Sequence, residues 1–161
     1  MAASRVQELH DRLEAAHQRV LVAVENCPDS SWNSVSEGEG WTVGGLACHI
    51  AEGYGAMTAW SGLAVAGQPI PTTMDDINAV NLDVPSRYST TDRSQALAIL
   101  RDAFATASAS LLALNDDDLD RKSPFAAAGG HEVGASGFVE LTIRHTKSHL
   151  ASILAASEQP A

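Results

Sequence analysis

The stretch Phe138-Val-Glu-Leu-Thr-Ile-Arg-His145-Thr-Lys-Ser-His149-Leu-Ala-Ser-Ile153 decides the fold. Its apolar residues and its two histidines recur every three or four positions, which predicts a helix with one inward stripe: Phe138, Leu141, His145, His149 and Ile153. His145 and His149 lie four residues apart, so their side chains leave one helix face about 6 Å apart and two ring nitrogens can reach one metal ion. The spacing alone equally allows two histidines placed there by chance, one of which simply packs.

The apolar surroundings of these histidines favour a shared metal ion. Two unpaired imidazoles on a buried helix face are costly to desolvate unless they share a partner. A third histidine, His49, lies on the apolar face of another predicted helix, in line with Leu46 and Gly53. These two features favour one metal ion over isolated core histidines.

Two more helices follow from apolar periodicity and capping residues. Ser4 is a suitable N-cap for a first helix that ends before Pro28. Thr91 or Asp92 begins a long helix whose inner face reaches Leu114. An acidic turn follows this helix.

The second helix and the connections complete the predicted element order. Thr42 caps a helix that runs to Val65, and a Pro-containing crossover at 67–90 carries a short helical piece around 75–82. The small, Gly-rich stretch 125–137 is expected to be a loop before the last helix. Four long helices with one long crossover therefore predict an all-α bundle.

Length, composition and charge limit the architecture and the partners. A chain of 161 residues fits one domain, here taken as 1–161, and 45% hydrophobic with only 5% aromatic residues suits closely packed helices. The net charge of -10 repels phosphate backbones and anionic lipids, so neither nucleic acid nor membrane is an expected partner. With no long apolar run and no secretory signal, we expect a cytoplasmic protein in which Cys27 and Cys48 stay reduced.

The run Trp41-Thr-Val-Gly-Gly-Leu-Ala-Cys-His49-Ile-Ala-Glu resembles the first-histidine motif of the DinB/YfiT-like superfamily. This superfamily includes thiol-dependent S-transferases and mycothiol-dependent maleylpyruvate isomerases. The pair His145-x-x-x-His149 resembles the second half of the family's metal triad, and the segment 76–81 in the crossover is also similar. The resemblance covers essentially the whole chain.

This resemblance implies a four-helix bundle with up-down-down-up threading that often forms homodimers. It also implies a divalent metal ion, zinc, nickel or iron, held by His49, His145 and His149, and imidazole ligands suit all three metals. The sequence departs from many relatives at Gly44 and Gly45, where larger or charged residues are common. The pocket shape, and with it the substrate class, is therefore not carried over.

The predicted function follows from the ligand type. Three neutral ligands leave the full metal charge and an open coordination position, as in catalytic zinc sites, and a thiol bound there would be acidified. We therefore expect a transferase or isomerase that activates a low-molecular-weight thiol, with mycothiol the expected one, for attack on an electrophilic small molecule. The alternatives are a non-catalytic metal- or ligand-binding stress or sensing protein, and a structural helical partner without metal.

The remaining histidines and acidic residues receive weaker predictions. His10 and His17 are expected at the surface or boundary of the first helix, and His131 in the Gly-rich loop. The motif Glu14-x-x-His17 has no second copy, which argues against a di-iron carboxylate site. Glu52, three residues after His49, fits either an acceptor that orients an imidazole or a solvated helix residue.

Several residues near the predicted site have a structural alternative. Trp41, Trp60 and Tyr88 are candidates for the wall of a pocket, with core packing as the alternative. Asn78 and Asn81 are expected to cap or pin the crossover. Cys48 points about 100° away from its neighbour His49 and is expected to fill the core.

Overall fold

Capping side chains fix the starts of the long helices, as the sequence predicted. In the computed structural model, which describes residues 4–159, Ser4 Oγ accepts a hydrogen bond from Gln7 N and Thr42 Oγ1 accepts one from Gly45 N. Asp92 caps its helix in a reciprocal capping box. The helices are α1 (Arg5–Glu25), α2 (Val43–Val65), α3 (Met74–Arg87), α4 (Arg93–Leu112), α5 (Asp116–Leu119) and α6 (Ala135–Ser157). Two short strands, β1 (Lys122–Pro124) and β2 (Glu132–Gly134), pair antiparallel between α5 and α6.

Side-chain contacts give the direction of α1 relative to α4 and α6. Glu25, at the end of α1, pairs with Arg101 in the first half of α4 at 2.6 Å, so these two helices run antiparallel. Arg12 in the first half of α1 pairs with Glu140 near the start of α6 at 2.6 Å, so these two run parallel.

The direction of α2 completes the threading. Gly44 at the start of α2 lies against the backbone of Thr91, just before α4, so α2 and α4 run parallel. His49, early in α2, lies 4.9 Å between ring centroids from His149, late in α6, so these helices are antiparallel. The bundle is therefore threaded up-down-down-up, and the crossover that joins α2 to α4 carries α3. The predicted fold class is confirmed.

The core is aliphatic and lies between the four long helices. Leu13, Leu46, Ile50, Leu100 and Ile143 are all 1% exposed or less and belong to one continuous cluster. Within residues 4–159, every helix is too short or too polar to span a lipid bilayer.

A second, smaller cluster closes the end of the bundle at which α6 begins. Trp60 lies there, with ring centroids 5.0 Å from Phe125 and 5.7 Å from Phe138. Trp60 thus packs in a core cluster that does not include the three predicted ligand histidines.

Three predicted elements differ in extent from those observed. α3 covers 74–87 rather than only 75–82, because Thr73 and Asp76 form a capping box at its start. The predicted loop 125–137 contains β2 and the first residues of α6. α6 therefore begins earlier than predicted, at Ala135, and is preceded by Gly134, which caps it with no side chain.

The inward face of α6 is rotated from the predicted stripe. Leu141 is 40% exposed, whereas Val139, Ile143 and Leu150 are buried with Phe138. The prediction for Leu141 was wrong because the buried face of α6 is centred near Thr142 and Thr146, which leaves Leu141 beyond its edge.

His10 and His17 are buried, contrary to the prediction of surface or boundary positions. His10 is 7% and His17 2% exposed. The His17 ring stacks on Phe104 at 4.0 Å between centroids, and its Nδ1 lies 3.2 Å from the Tyr54 hydroxyl. Burial and the nearby charge of Arg101 lower the pKa of His17 to about 4, so it is a neutral core residue.

Candidate metal centre

Three imidazoles meet between α2 and α6. His49 comes from the second turn of α2, and His145 and His149 come from successive turns of α6. One ring nitrogen of each lies within 4.8 Å of one from both others, and His49 Nε2 lies 2.9 Å from His145 Nε2. The structure thus brings together all three histidines that the sequence singled out.

Gly53 provides the space for the His145 ring. A Cβ at position 53 would lie 2.8 Å from His145 Nδ1 and 2.9 Å from its Cε1, closer than side chains approach one another. That same Nδ1 is buried and has no hydrogen-bond partner among the described residues. His145 is therefore held by packing against α2.

His49 has a carboxylate behind it. Its Nδ1 lies 3.2 Å from Glu52 Oε2, one turn further along α2, which leaves Nε2 directed toward the other histidines. Glu52 is also bound by Arg87 and by the Tyr88 hydroxyl, at 2.7 Å, both from the end of the crossover. Although burial opposes it, these hydrogen bonds lower the pKa of Glu52 to about 2. Of its two predicted roles, Glu52 has the one that orients an imidazole.

His149 has a second carboxylate, which sequence reasoning did not identify. Its Nδ1 lies 3.0 Å from Glu39 Oε1. That oxygen also accepts a hydrogen bond from Ser152 Oγ at 2.9 Å, and Glu39 Oε2 accepts one from Ser36 Oγ at 2.7 Å. Glu39 lies 110 residues before His149, in an irregular segment, so neither periodicity nor spacing pointed to it.

An indole ring covers two of the imidazoles. The centroid of Trp41 lies 4.7 Å from that of His49 and 5.7 Å from that of His149. Trp41 itself is only 8% exposed. Of the three aromatic residues predicted to wall a pocket, Trp41 contacts the histidines directly and Tyr88 reaches the site through Glu52.

The electrostatics keep two of the histidines in the form that binds metals. Burial, followed by the charges of His149 and His49, lowers the pKa of His145 to about 3. Burial and His49 also lower the pKa of His149, against the opposing effect of Glu39. Neutral imidazole is the ligand form, so these rings carry available lone pairs at neutral pH.

The donor set fits a divalent metal ion. Three imidazoles converge, and a carboxylate faces the Nδ1 atom of both His49 and His149. A carboxylate in that position fixes the tautomer of a metal-binding histidine and raises the basicity of its other nitrogen. Within residues 4–159, no carboxylate or thiolate joins the group of three as a further ligand. The metal type stays open, because imidazole suits zinc, nickel and iron alike.

The other residues considered from the sequence lie outside this group. His131 is exposed in the turn between β1 and β2. Cys48 is fully buried, and burial, with a smaller effect from Glu52, raises the pKa of its thiol to about 11. Its core position agrees with the prediction. The α3 residues Asn78 and Asn81 do not cap that helix, since Thr73 does so.

Comparisons with known proteins bear on the family and the fold of the chain. A family model described as the DinB superfamily matches residues 12–153. Among solved structures, YfiT from Bacillus subtilis, described as a probable metal-dependent hydrolase with an unusual four-helix bundle topology, has a TM-score of 0.74 and 23% identity. The match covers 98% of this chain and 89% of that one.

Two further structures share the fold at lower identity. A mycothiol-dependent maleylpyruvate isomerase has a TM-score of 0.75 and 16% identity, over 92% of this chain and 60% of the isomerase chain. The Sibling Lethal Factor Precursor DfsB has a TM-score of 0.75 and 15% identity, over the full length of both chains. No curated protein matches the sequence. At these identities the structural likeness establishes the fold alone.

Proposed function

Because the chain belongs to the DinB superfamily, we propose that His49, His145 and His149 bind one divalent metal ion and that the protein is a thiol-using enzyme. The reaction class is a transfer or isomerisation in which a low-molecular-weight thiol, with mycothiol as the first candidate, attacks an electrophilic small molecule. The observation that carries this proposal is the approach of three ring nitrogens to within 4.8 Å of one another between two buried helix faces.

The accessibility of the histidines supports a catalytic rather than a structural site. The His149 side chain is 12% exposed and His145 is partly exposed, so these two rings are not sealed within the core. Glu39 and Glu52 face the Nδ1 atoms of the histidines, on the side away from the shared centre, and do not close it as a fourth ligand. Three protein ligands with an open position are typical of catalytic zinc sites, whereas four protein ligands are typical of structural ones.

The charges around the site are compatible with a thiolate. A divalent metal ion there supplies a Lewis acid that lowers the pKa of a bound thiol or water. Arg87 offsets one of the two negative charges of Glu39 and Glu52, and its guanidinium is occupied by Glu52, Asp83 and a backbone carbonyl. With neutral histidine ligands, the charges of a divalent cation and Arg87 balance those of Glu39, Glu52 and Asp83, and the metal ion is the positive charge that a bound thiolate contacts.

The likeness to the mycothiol-dependent isomerase is the reason to test mycothiol first. Because this chain spans 60% of that chain's length, the substrate of that enzyme is not carried over. We therefore propose only the chemical class of the second substrate, an electrophilic small molecule.

The experiment combines metal analysis with a thiol-dependence assay. Protein stripped with chelator and reloaded with Zn²⁺, Ni²⁺ or Fe²⁺ is incubated with mycothiol, bacillithiol or glutathione and the electrophile 1-chloro-2,4-dinitrobenzene. We expect one metal ion per chain and a metal-dependent rate that His149→Ala abolishes. His131→Ala, which removes an exposed histidine outside the group, is the matched control and keeps both properties.

Two results would contradict the proposal at different levels. One metal ion per chain without a thiol-dependent rate above background removes the enzymatic proposal and leaves the non-catalytic metal- or ligand-binding protein. Metal content in His149→Ala equal to that of the wild type removes the three-histidine site itself.

A further inference from the structure

One short segment before α2 reaches two of the three histidines. Residues 35–42, here called the Glu39 turn, are closed by a bridge between Val35 and Thr42 and by a hydrogen bond from Ser36 N to Trp41 O at 2.9 Å. Gly40 has a φ of 72° within this turn, a conformation that glycine adopts without strain. Although it lies outside the helices and strands, the turn is therefore closed by its own backbone contacts.

We propose that Glu39 is a positioning residue that acts through His149 and couples metal occupancy to the docking of the Glu39 turn onto α6. This inference rests on the proposed metal site. It adds Glu39, which is remote in sequence from the three histidines, to that site, and it makes the position of the Glu39 turn depend on whether the metal is bound.

The Glu39 carboxylate contacts both α6 and the rest of the Glu39 turn. One oxygen lies 3.0 Å from His149 Nδ1 and 2.9 Å from Ser152 Oγ, both on α6, and the other lies 2.7 Å from Ser36 Oγ within the turn. The Glu39 side chain is only 20% exposed, so these bonds are shielded from water on most sides. A single carboxylate thus joins the turn to a metal ligand.

Trp41 gives the same turn a second point of contact. Its ring lies against both His49 and His149, with the centroid distances given above. Movement of the turn away from α6 would therefore uncover two ligands and remove the acceptor from one of them. The other carboxylate, Glu52, belongs to α2 and is bound by the crossover residue Arg87, so it does not depend on the turn.

The physical link is the tautomer and basicity of His149. A hydrogen bond from Nδ1–H to a carboxylate leaves the lone pair on Nε2, directs it to the metal and raises its basicity. Binding linkage is reciprocal. If docking of the turn increases metal affinity by some factor, bound metal increases the equilibrium constant for docking of the turn by the same factor. Metal should thus slow the opening of the turn.

The test uses variants that separate charge from docking. Glu39→Gln keeps an acceptor oxygen for His149 but removes the charge, Glu39→Ala removes both, and Glu37→Gln changes an exposed glutamate of the same turn as control. Zn²⁺ affinity is measured by competition with a chromophoric chelator. Amide hydrogen exchange at Gly40 and Trp41 is measured with and without Zn²⁺.

We expect Glu39→Gln to weaken Zn²⁺ binding by about 10- to 100-fold, the usual effect of losing a carboxylate behind a ligand histidine. Glu39→Ala weakens it at least as much and exchanges faster at Gly40 and Trp41. Zn²⁺ slows this exchange in the wild type and in Glu37→Gln, but much less in Glu39→Ala. Glu39→Asp serves as the conservative variant and restores part of the affinity.

The contrary outcomes are distinguishable. Suppose that the wild type binds Zn²⁺ through His149. If Glu39→Gln then binds Zn²⁺ with unchanged affinity, or if Zn²⁺ does not slow amide exchange in the wild type, this inference is overturned and the proposed site stays in place. Wild-type protein that binds none of Zn²⁺, Ni²⁺ and Fe²⁺, or His149→Ala that binds metal equally well, overturns the site and this inference together.

Discussion

The Nε2 atoms of His49 and His145 lie 2.9 Å apart, although the two residues belong to different helices. Two lone pairs that face each other at this distance repel, so a proton or a cation has to lie between them. In either case the other nitrogen of His145, Nδ1, is buried with no hydrogen-bond partner among the described residues. A metal ion at the shared centre satisfies both Nε2 atoms at once.

Metal binding should therefore stabilise the fold measurably. With free Zn²⁺ at 100 times its Kd, the stabilisation is about 2.7 kcal/mol, which corresponds to a Tm increase of roughly 5–10 °C for a chain of this size. Thermal unfolding followed by circular dichroism should show this increase in the wild type and in His131→Ala, but not in His145→Ala. An equal increase in His145→Ala would show that the stabilising metal binds elsewhere.

A methyl group at Gly53 should damage the site while sparing the helix. In Gly53→Ala the new Cβ would lie 2.8 Å from His145 Nδ1, so the ring must shift away from the other ligands. We expect Zn²⁺ affinity to fall at least about tenfold, since ligand orientation of this kind sets metal affinity. Competition with a chromophoric chelator measures it.

Gly55→Ala is the matched control for this substitution. Position 55 is exposed on the same helix, and nothing lies within 4 Å of the place that an alanine methyl group would occupy. The free energy of unfolding should rise by about 0.8–1 kcal/mol because alanine is the better helix former, with unchanged Zn²⁺ affinity. Equal affinities in the two variants would contradict the role assigned to Gly53.

The buried His17 should make the fold sensitive to mild acid. Its pKa is about 4 in the folded chain and 6.5 in the unfolded chain. Between pH 6.5 and 4, His17 is therefore protonated in the unfolded chain but neutral in the folded chain. Stability from this residue is complete above pH 6.5 and is lost as the pH falls from 6.5 toward 4. Between pH 7.5 and 5 the loss is about 2 kcal/mol.

Urea unfolding of chelated protein at both pH values measures this loss. His17→Gln cannot take up the proton, so its stability should change by about 2 kcal/mol less than that of the wild type over the same interval. Contributions from the other histidines are common to both chains and cancel in the difference. Identical pH dependence of the two proteins would show that His17 is not held neutral.

The aliphatic core should respond to truncation in proportion to burial. Leu13 is fully buried in α1, whereas Leu82 on α3 is 83% exposed. We expect Leu13→Ala to lower the free energy of unfolding by about 2–5 kcal/mol and Leu82→Ala to change it by at most about 0.5 kcal/mol. Urea unfolding midpoints check both, and a large loss in Leu82→Ala would reveal a partner on the exposed face of α3.

Local chemistry made the helix starts predictable. Ser4, Thr42 and Asp92 each combine a short polar side chain with a following apolar period, and each accepts the predicted backbone hydrogen bond. Gly134 offers no side-chain cap, so the start of α6 was misplaced. The convergence of the three histidines was expected from helix faces and from the family resemblance.

The burial of His10 and His17 was missed although the sequence carried a signal for it. Both fall in step with Leu13, Val20 and Val24 at intervals of three and four residues, the same apolar period that predicted α1. The prediction included the histidines in the inward stripe of α6 but left His10 and His17 out of that of α1. Tertiary partners such as aromatic rings decide whether an imidazole is buried.

Glu39 illustrates what a sequence without structure cannot provide. Its segment has no period, and its partner His149 lies 110 residues further on. Only the packing of the turn against α6 brings the carboxylate to the ring. Glu52 was within reach of prediction because a helical turn alone places it beside His49.

A cation shared by α2 and α6 would work as a non-covalent cross-link. His49 and His145 are separated by 96 residues, so the clasp closes a loop that contains more than half of the polypeptide. In the chain-entropy description, tying a loop of about 100 residues restricts the unfolded ensemble by about 4–5 kcal/mol, as a disulfide would. The two cysteines of this chain, Cys27 and Cys48, form no disulfide. The imidazoles would then supply the cross-link instead, and chelators rather than reducing agents would break it.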